Sequence, residues 1–193
     1  MKAILVSGNA HKARELARLL PGWEIEPIGG ELPEESGSTF YENARAKARF
    51  GRAVGSTAPW MLGEDSGLEV EGLDGRPGIR SARFSGPGAT DEENVARLLE
   101  ELAGVSGNGR RARYVCELVC VSPQGEEARG TGTLVGRIAA EARGSGGFGY
   151  DPVFIPDGER RTVAELGDEW KARRSHRAAA AAALQAGLAR LRS

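Results

Sequence analysis

The chain has 193 residues, of which 40% are hydrophobic and 27% are charged, and its formal net charge is −1. This length and composition predict a globular protein with one domain over residues 1–193. The near-neutral charge argues against a nucleic-acid-binding or membrane-surface protein. No apolar stretch reaches the roughly 18 residues of a membrane helix, and the N-terminal sequence lacks a signal-peptide pattern, so we expect a cytoplasmic protein.

The first segments predict a strand, a turn, a helix and a second strand. Lys2–Val6 is apolar, residues 7–9 (Ser-Gly-Asn) are typical of a turn, and residues 11–20 have the apolar spacing of a helix. Residues 23–28 predict the second strand. A turn between a strand and a helix can direct backbone N–H groups at an anion, and Lys12 would add a positive charge. The alternative is an ordinary strand–helix turn without a ligand.

The next helix is predicted from its N-terminus. Thr39 followed by Glu42 matches a capping box, so the simplest role of Glu42 is to cap a helix that ends near residue 54. Asn43 and Lys47 lie one turn apart on this helix. From the sequence alone, they could form a solvated face.

Two adjacent carboxylates, Glu64 and Asp65, lie between residues 60–63 and residues 68–73, which predict two separate strands. Like charges in a half-buried acidic loop repel each other, so this pair requires a nearby cation, either a metal ion or a basic side chain. Ser66 adds a hydroxyl group, and a loop rich in arginine and glycine follows. The combination indicates a site that handles metal and phosphate.

The second half of the chain predicts a further capped helix, a hairpin, a short strand and a final helix. The capped helix begins at Thr90, and residues 112–122 and 128–138 predict the hairpin. Residues 153–155 predict the short strand, and the Ala-rich residues 175–191 predict a strong helix. Together with the early strand–helix–strand unit, these elements predict an α/β domain with a mixed sheet.

The two cysteines, Cys116 and Cys120, lie in the first strand of the predicted hairpin. On a strand they would share one face about 13 Å apart, at about 3.3 Å per residue, which is too far for a disulfide. We therefore expect two buried free thiols.

The sequence Gly-Ser-Gly-Gly-Phe-Gly at residues 144–149 formally matches a dinucleotide-binding pattern. That pattern should follow a strand and open a helix, whereas here Tyr150 and Asp151 lead into a strand. The segment therefore does not predict a dinucleotide site. Two interpretations stay open, namely a pocket wall in which Phe148 stacks on a base and a glycine-rich turn without a ligand.

Lysine is rare in this chain. Only four of the 26 basic residues are lysines, namely Lys2, Lys12, Lys47 and Lys171. Because lysine presents a compact charge that differs from the planar guanidinium of arginine, each retained lysine is a candidate for contact with a phosphate.

Taken together, these segments resemble the inosine triphosphate pyrophosphatase family. The matching strings occur in the family's order and are Ser-Gly-Asn…Lys at 7–12, Thr-Phe-Tyr-Glu-Asn-Ala…Lys-Ala at 39–48, Glu-Asp-Ser-Gly-Leu at 64–68, Pro-Gly-Ile-Arg-Ser-Ala-Arg-Phe at 77–84, Gly-Gly-Phe-Gly-Tyr-Asp-Pro-Val-Phe at 146–154 and Ser-His-Arg at 175–177. The ordered set is specific to this family and extends over nearly the whole chain. One position departs from it, because many members have aspartate where this chain has Glu64.

The resemblance implies an elongated α/β fold, with a mixed sheet flanked by helices and two lobes around a central cleft, and usually a homodimer. It also implies Mg²⁺-dependent hydrolysis of the non-standard purine nucleoside triphosphates ITP, dITP and XTP to the monophosphate and pyrophosphate. Such an activity cleanses the nucleotide pool and prevents incorporation of these bases into DNA and RNA.

The resemblance also implies site residues. It places Glu42 and Asp65 at the metal, and Asp65 is the residue expected to orient and deprotonate the attacking water. The substrate-binding residues that it implies are Ser7, Gly8, Asn9, Lys12, Lys47, Ser66, Phe148, Gly149, Tyr150, Asp151, Lys171, His176 and Arg177. Among these, it places the base near Phe148, Asp151, Lys171, His176 and Arg177.

Two rival functions stay open at this point. One is a nucleotide-binding regulator that has the pocket but no turnover, against which Glu42, Lys12 and Asp65 argue. The other is a phosphatase or a general triphosphatase with a different substrate.

Overall fold

The structure is a computed structural model that describes residues 1–28, 32–55 and 59–191. In these residues it has six strands, β1 (Lys2–Val6), β2 (Glu24–Pro27), β3 (Trp60–Val70), β4 (Arg111–Val121), β5 (Glu127–Ile138) and β6 (Phe154–Pro156). The helices are α1 (Ala10–Leu19), α2 (Phe40–Val54), α3 (Asp91–Glu101), α4 (Val163–Leu166), α5 (Asp168–Arg174) and α6 (His176–Leu191), with short 3₁₀ helices at Glu71–Leu73, Gly78–Arg83 and Gly107–Arg110.

The strands form one mixed sheet in the order β2-β1-β3-β4-β5-β6. Strand β1 pairs in parallel with β2 and with β3, whereas β5 and β6 are antiparallel. The predicted fold class, a mixed α/β sheet with flanking helices, is therefore confirmed. Among the described residues, no helix is both long and apolar enough to cross a membrane.

Most predicted elements are confirmed to within one or two residues. At the start of α3, Thr90 and Glu93 complete a capping box in which each side chain accepts from the other's backbone N–H. The hairpin prediction places β4 and β5 next to each other, and Ser122 and Glu126 close the turn between them through a backbone hydrogen bond of 2.8 Å. Both cysteines are free and buried, as expected.

The prediction of an acidic loop between two strands is wrong, because residues 60–70 form one continuous strand. Side chains alternate between the two faces of a strand, so Glu64 and Asp65 point to opposite faces instead of facing each other. Each face supplies its own cation, Lys12 for Glu64 and Lys47 for Asp65. The predicted need for a nearby cation is therefore met by a basic side chain on each face, and the strand continues without interruption.

The chain divides into two compact units. The first comprises the described parts of Met1–Asp65, Cys116–Gly132 and His176–Ser193, and the second comprises Ser66–Val115 and Thr133–Ser175. The prediction of a single domain over residues 1–193 stays a prediction.

The first unit has two apolar clusters, and the alternation of side chains along its strands assigns them to opposite faces of the sheet. One cluster joins strand residues to α1 and α6 and includes Leu5, Leu16, Leu62, Cys116, Leu118, Cys120 and Leu184. The other joins strand residues to α2 and includes Ala44, Ala48, Met61, Val119 and Val121. Helices therefore cover both faces of this part of the sheet.

The second unit has one apolar cluster. Its buried side chains come from the second half of β3, from α3 and from β4 and β6, and they include Leu68, Val70, Val95, Leu98, Tyr114, Val153 and Phe154. The rings of Tyr114 and Phe154 pack against each other with centroids 4.6 Å apart.

Helix α2 packs unusually close to β3 at Gly63. A Cβ atom added at Gly63 would lie 1.9 Å from the carbonyl oxygen of Ala44 and 2.7 Å from the backbone nitrogen of Ala48. Only glycine allows this approach, since both obstructing atoms belong to the backbone of α2. The contact occurs one residue before Glu64, so it fixes α2 next to the acidic pair.

We expect Gly63→Ala to lower the free energy of unfolding by about 1–3 kcal/mol, because α2 must move away from the strand to accommodate the methyl group. Urea unfolding measures this change. The matched control is Gly187→Ala in α6, where the added Cβ meets its nearest atom at 3.4 Å. Since alanine favours helix, the control should be neutral or up to about 1 kcal/mol more stable. Equal stability of the two variants would contradict the close approach at Gly63.

Candidate active site

Glu64 lies at the centre of a buried charge cluster in the first unit. Its side chain is fully buried, and Lys12 Nζ lies 2.6 Å from Oε2. The Arg177 guanidinium donates to Oε1 through Nη2 at 2.9 Å and Nε at 3.3 Å, and it also contacts the Glu15 carboxylate. Burial alone would raise the pKa of Glu64, but the charges of Lys12 and Arg177 outweigh burial and hold the pKa well below its usual value.

Asp65 has a different environment on the opposite face of β3. Asn43 Nδ2 donates to Oδ2 at 3.1 Å, and Lys47 Nζ lies 3.4 Å from Oδ1. Lys47 is shared, because its ammonium also donates to the backbone oxygen of Glu64 at 3.1 Å and contacts the Glu35 carboxylate. Burial raises the pKa of Asp65, Glu35 adds to this effect, and Lys47 offsets it only in part. Asp65 is thus a partly compensated carboxylate with raised proton affinity.

Glu42 lies in the first turn of α2, and its exposed carboxylate accepts hydrogen bonds from the residues at the start of the helix. Thr39 Oγ1 accepts from the backbone N–H of Glu42 at 3.1 Å, as predicted. Ser38 donates its N–H and its hydroxyl to Glu42 Oε2 at 2.7 Å, and Thr39 also hydrogen-bonds to this carboxylate. These bonds lower the pKa of Glu42, with the Ser38 hydroxyl as the largest cause.

The turn after β1 is closed by its own side chains. Asn9 is the N-cap of α1, and its Oδ1 accepts from the backbone N–H groups of His11 at 2.9 Å and Lys12 at 3.2 Å. Ser7 Oγ accepts from the backbone N–H of Asn9 at 3.2 Å, and Gly8 lies between them. These three amides donate within the turn, and the ammonium of Lys12 adds a positive charge in the first turn of α1.

The second unit brings together Asp151, Lys171 and Phe148, which the sequence separates by up to 23 positions. Asp151 Oδ2 accepts from Lys171 Nζ at 2.8 Å and from the backbone N–H of Phe148 at 3.0 Å. Lys171 Nζ also lies 4.5 Å from the centroid of the Phe148 ring, a cation–π distance. A buried ion pair is therefore held against an aromatic ring.

The loop around these residues is fixed at two further points. Gly149 donates its N–H to Asp91 Oδ2 at 2.6 Å, and Tyr150 donates its hydroxyl to the backbone oxygen of Ser81 at 2.8 Å. Burial raises the pKa of Tyr150 well above its ordinary value. Its hydroxyl therefore acts as a neutral hydrogen-bond donor at physiological pH.

The predicted residues fall into two groups that follow the two units. Lys12, Lys47, Glu64, Asp65 and Arg177 share contacts in the first unit, where His176 is also buried at the start of α6. The second unit contains Phe148, Gly149, Tyr150, Asp151 and Lys171, together with Ser66, which follows Asp65 on β3. Arg177 was predicted to lie near the base. Its guanidinium forms ion pairs with the carboxylates of Glu64 and Glu15.

Sequence reasoning missed several partners of these residues. Asn43 and Lys47 do not form a solvated face, because both are buried and both contact Asp65. Their i, i+4 spacing on a helix that follows a cap was the available signal. Glu35, Glu15 and Tyr114 had no comparable signal, since each meets its partner only through the tertiary fold.

The fold and these side chains define a mixed α/β protein with a carboxylate–lysine site. Residues 3–187 match the model of the Ham1 family. A dITP/XTP pyrophosphatase from Bdellovibrio bacteriovorus is 46% identical over 187 residues, covering 93% of this chain and 94% of that protein. A dITP/XTP pyrophosphatase from Cutibacterium acnes is 44% identical over 193 residues, covering 95% and 94%.

Solved structures agree with this match. The Staphylococcus aureus Ham1 protein superposes with a TM-score of 0.86 at 36% identity, covering 99% of this chain and all of that chain. A HAM1 protein from Coxiella burnetii superposes with a TM-score of 0.84 at 33% identity, with full coverage of both chains. The chain therefore belongs to the Ham1 family.

The pKa of Glu64 is lowered and that of Asp65 is raised, so replacing each acid by its neutral amide should change the stability of the protein differently. At pH 7 in EDTA, we expect Glu64→Gln to lower the free energy of unfolding by about 3 kcal/mol, because it removes the anion that Lys12 and Arg177 share. Asp65→Asn should stay within about 1 kcal/mol of wild type or exceed it, since folding already disfavours the charged Asp65.

Urea unfolding as a function of pH provides the measurement and its sign. The stabilisation that charged Glu64 gives the folded protein is fully present above the pKa of Glu64 in the unfolded chain, and it is lost as the pH falls. The destabilisation caused by charged Asp65 is relieved as the pH falls, because Asp65 then binds a proton. A greater loss of stability in Asp65→Asn than in Glu64→Gln would contradict these assignments.

Proposed function

We propose that this protein is a nucleoside-triphosphate pyrophosphatase that hydrolyses ITP, dITP and XTP to the monophosphate and pyrophosphate with Mg²⁺. The observation that supports this most is the pairing of a buried carboxylate of raised pKa, Asp65, with the ammonium of Lys47 at 3.4 Å. Relatives named dITP/XTP pyrophosphatases at 44–46% identity support the substrate class.

Asp65 is the proposed general base. A raised pKa makes a carboxylate a stronger proton acceptor near neutral pH than an ordinary exposed aspartate. In the proposed reaction, Asp65 takes a proton from a water whose oxygen bonds to the α-phosphorus, and the bond from the α-phosphorus to the bridging oxygen of the β-phosphate breaks. Pyrophosphate leaves with that bridging oxygen. Asn43 orients the base by donating to Oδ2.

Lys12 and Lys47 are the proposed phosphate-binding cations. The ammonium of Lys12 lies 2.6 Å from the Glu64 carboxylate, and that of Lys47 lies 3.4 Å from the Asp65 carboxylate. Both lysine side chains are largely buried. Buried, oriented cations stabilise the negative charge that develops on the leaving pyrophosphate more effectively than exposed ones. Glu64 and Glu35 hold these ammonium groups in place.

The donor set of the first unit fits Mg²⁺ that arrives with a triphosphate. Mg²⁺ is typically bound through one or two carboxylates together with phosphate oxygens and water. Glu42 and Asp65 would hold it. When bound, the ion would offset phosphate charge. The proposed site therefore uses two carboxylates and relies on the phosphate oxygens for the other ligands. Within residues 1–28, 32–55 and 59–191, there is no cluster of three or more His, Cys, Asp or Glu side chains that could hold a metal ion without the substrate.

Recognition of the base is proposed for Phe148, Asp151 and Lys171, with His176 and Arg177 as the further residues that the family resemblance implies. Phe148 offers a ring on which any purine can stack, so stacking does not select among purines. Lys171 offers a donor that suits a 6-oxo group and disfavours the amino group of adenine. We also propose a cytoplasmic homodimer that removes these nucleotides before they enter DNA or RNA.

The proposed reaction predicts the products. With ITP and Mg²⁺, we expect one IMP and one pyrophosphate per turnover, identified by ³¹P NMR, and no turnover in EDTA. Rates for XTP, ATP and GTP measured in parallel test the choice of base. Release of orthophosphate and IDP would support a general triphosphatase, and tight ITP binding without turnover under any divalent metal would support a regulator.

Asp65→Asn should lower kcat at least about 100-fold, since a positioned general base contributes about 10²–10⁴-fold. Binding of ITP, measured by calorimetry, should be retained. The matched control is Asp157→Asn, because the half-exposed Asp157 pairs with Arg111 at 3.1 Å and belongs to no proposed site. Near-wild-type turnover in Asp65→Asn would remove Asp65 from the role of base.

A further inference from the structure

Asp151 accepts hydrogen bonds through both of its oxygens, and the two oxygens serve different partners. Oδ2 accepts from Lys171 Nζ at 2.8 Å and from the Phe148 N–H at 3.0 Å. Oδ1 accepts from the hydroxyl of Tyr114 at 3.3 Å. The side chains of Asp151, Lys171 and Tyr114 are all buried.

Tyr114 is held rigidly by its surroundings. It lies on β4, its ring belongs to the apolar cluster of the second unit, and it packs on Phe154 at a centroid distance of 4.6 Å. A buried ring with two fixed torsions presents its hydroxyl at one position. The carboxylate of an aspartate, by contrast, has a broad preference at its terminal torsion, so the hydroxyl selects one orientation of Asp151.

The orientation of Asp151 determines where Lys171 and Phe148 lie. If the carboxylate turns, Oδ2 can no longer accept from both the Lys171 ammonium and the Phe148 N–H in the present geometry. Lys171 Nζ lies 4.5 Å from the centroid of the Phe148 ring, so a turn of Asp151 would change the distance between the proposed base donor and the proposed stacking surface.

We propose that Tyr114 is a positioning residue for base recognition, which acts by hydrogen bonding to Asp151 Oδ1 and thereby fixes Lys171 relative to the Phe148 ring. This inference rests on the proposed function for its effect on substrate, whereas the contact itself can be tested without turnover. Tyr114→Phe is the suitable variant, because it keeps the ring that packs on Phe154 and removes only the hydroxyl.

The first test measures the contact. The chain has five phenylalanines, so ¹⁵N-phenylalanine labelling gives five backbone amide signals. We expect Tyr114→Phe to speed solvent exchange of the Phe148 amide about fivefold, the effect of weakening one hydrogen bond, and to leave the Phe154 amide unchanged. An unchanged Phe148 amide would overturn the proposal, and equal acceleration of both amides would show a general loosening and would also overturn it.

The second test measures the effect on substrate. Tyr114→Phe should raise KM for ITP about three- to tenfold and change kcat less than about twofold, because the base subsite is displaced while the reacting groups are not. The inhibition constant of pyrophosphate, which has no base, should be unchanged. An equal loss with pyrophosphate, or a fall in kcat at constant KM, would overturn the proposal.

The matched control is Tyr41→Phe, which removes the same hydroxyl from a ring that lies 4.1 Å beneath the Arg129 guanidinium. It should leave KM, kcat and the Phe148 amide at wild-type values. If wild-type protein does not hydrolyse ITP, the proposed function fails by itself. The amide exchange still decides the Tyr114 contact, and calorimetric ITP affinity then decides its effect on binding.

Discussion

The site of the first unit depends on one constraint, the alternation of side chains along the uninterrupted strand β3. Two adjacent acids on a loop would share a space and repel each other, whereas on a strand they occupy opposite faces. Glu64 therefore meets Lys12 and Arg177, and Asp65 meets Asn43 and Lys47. Gly63 makes this possible on the α2 face, because a larger residue there would displace the helix that supplies both partners of Asp65.

Because their faces differ, the two carboxylates have different chemistry. Glu64 is surrounded by cations that lower its pKa, so it remains charged and organises Lys12 and Arg177. Asp65 is buried with less compensation, and its raised pKa suits a proton acceptor. Environments that shift the pKa values of neighbouring carboxylates apart are a general way to assign them separate roles. This separation accommodates the longer side chain of glutamate at position 64, since the proposed task of Glu64 is to hold cations.

Much of the fold follows from local signals. The caps at Thr39 and Thr90, the period of the apolar residues and the turn at residues 122–126 predicted helices and strands close to those observed. Motifs led to Lys12, Lys47 and Asp65 as predicted site residues, and the structure shows Lys47 in contact with Asp65 and Lys12 in contact with Glu64. The break predicted within β3 was wrong, because the apolar run before Glu64 and the alternating residues after Ser66 belong to one strand whose two acids meet cations on opposite faces.

The sequence by itself determined the family, the order of the elements and the residue types available for chemistry, since these depend on local patterning and on ordered motifs. Only the tertiary structure decided which side chains contact one another in the candidate site. Glu15 lies 162 positions from Arg177 and Tyr114 lies 37 positions from Asp151, while Glu35 contacts Lys47 from outside the helix that contains Lys47. No local pattern encodes such contacts, because they depend on how helices pack on the sheet. The same packing sets burial and charge compensation, and these two quantities distinguish Glu64 from Asp65.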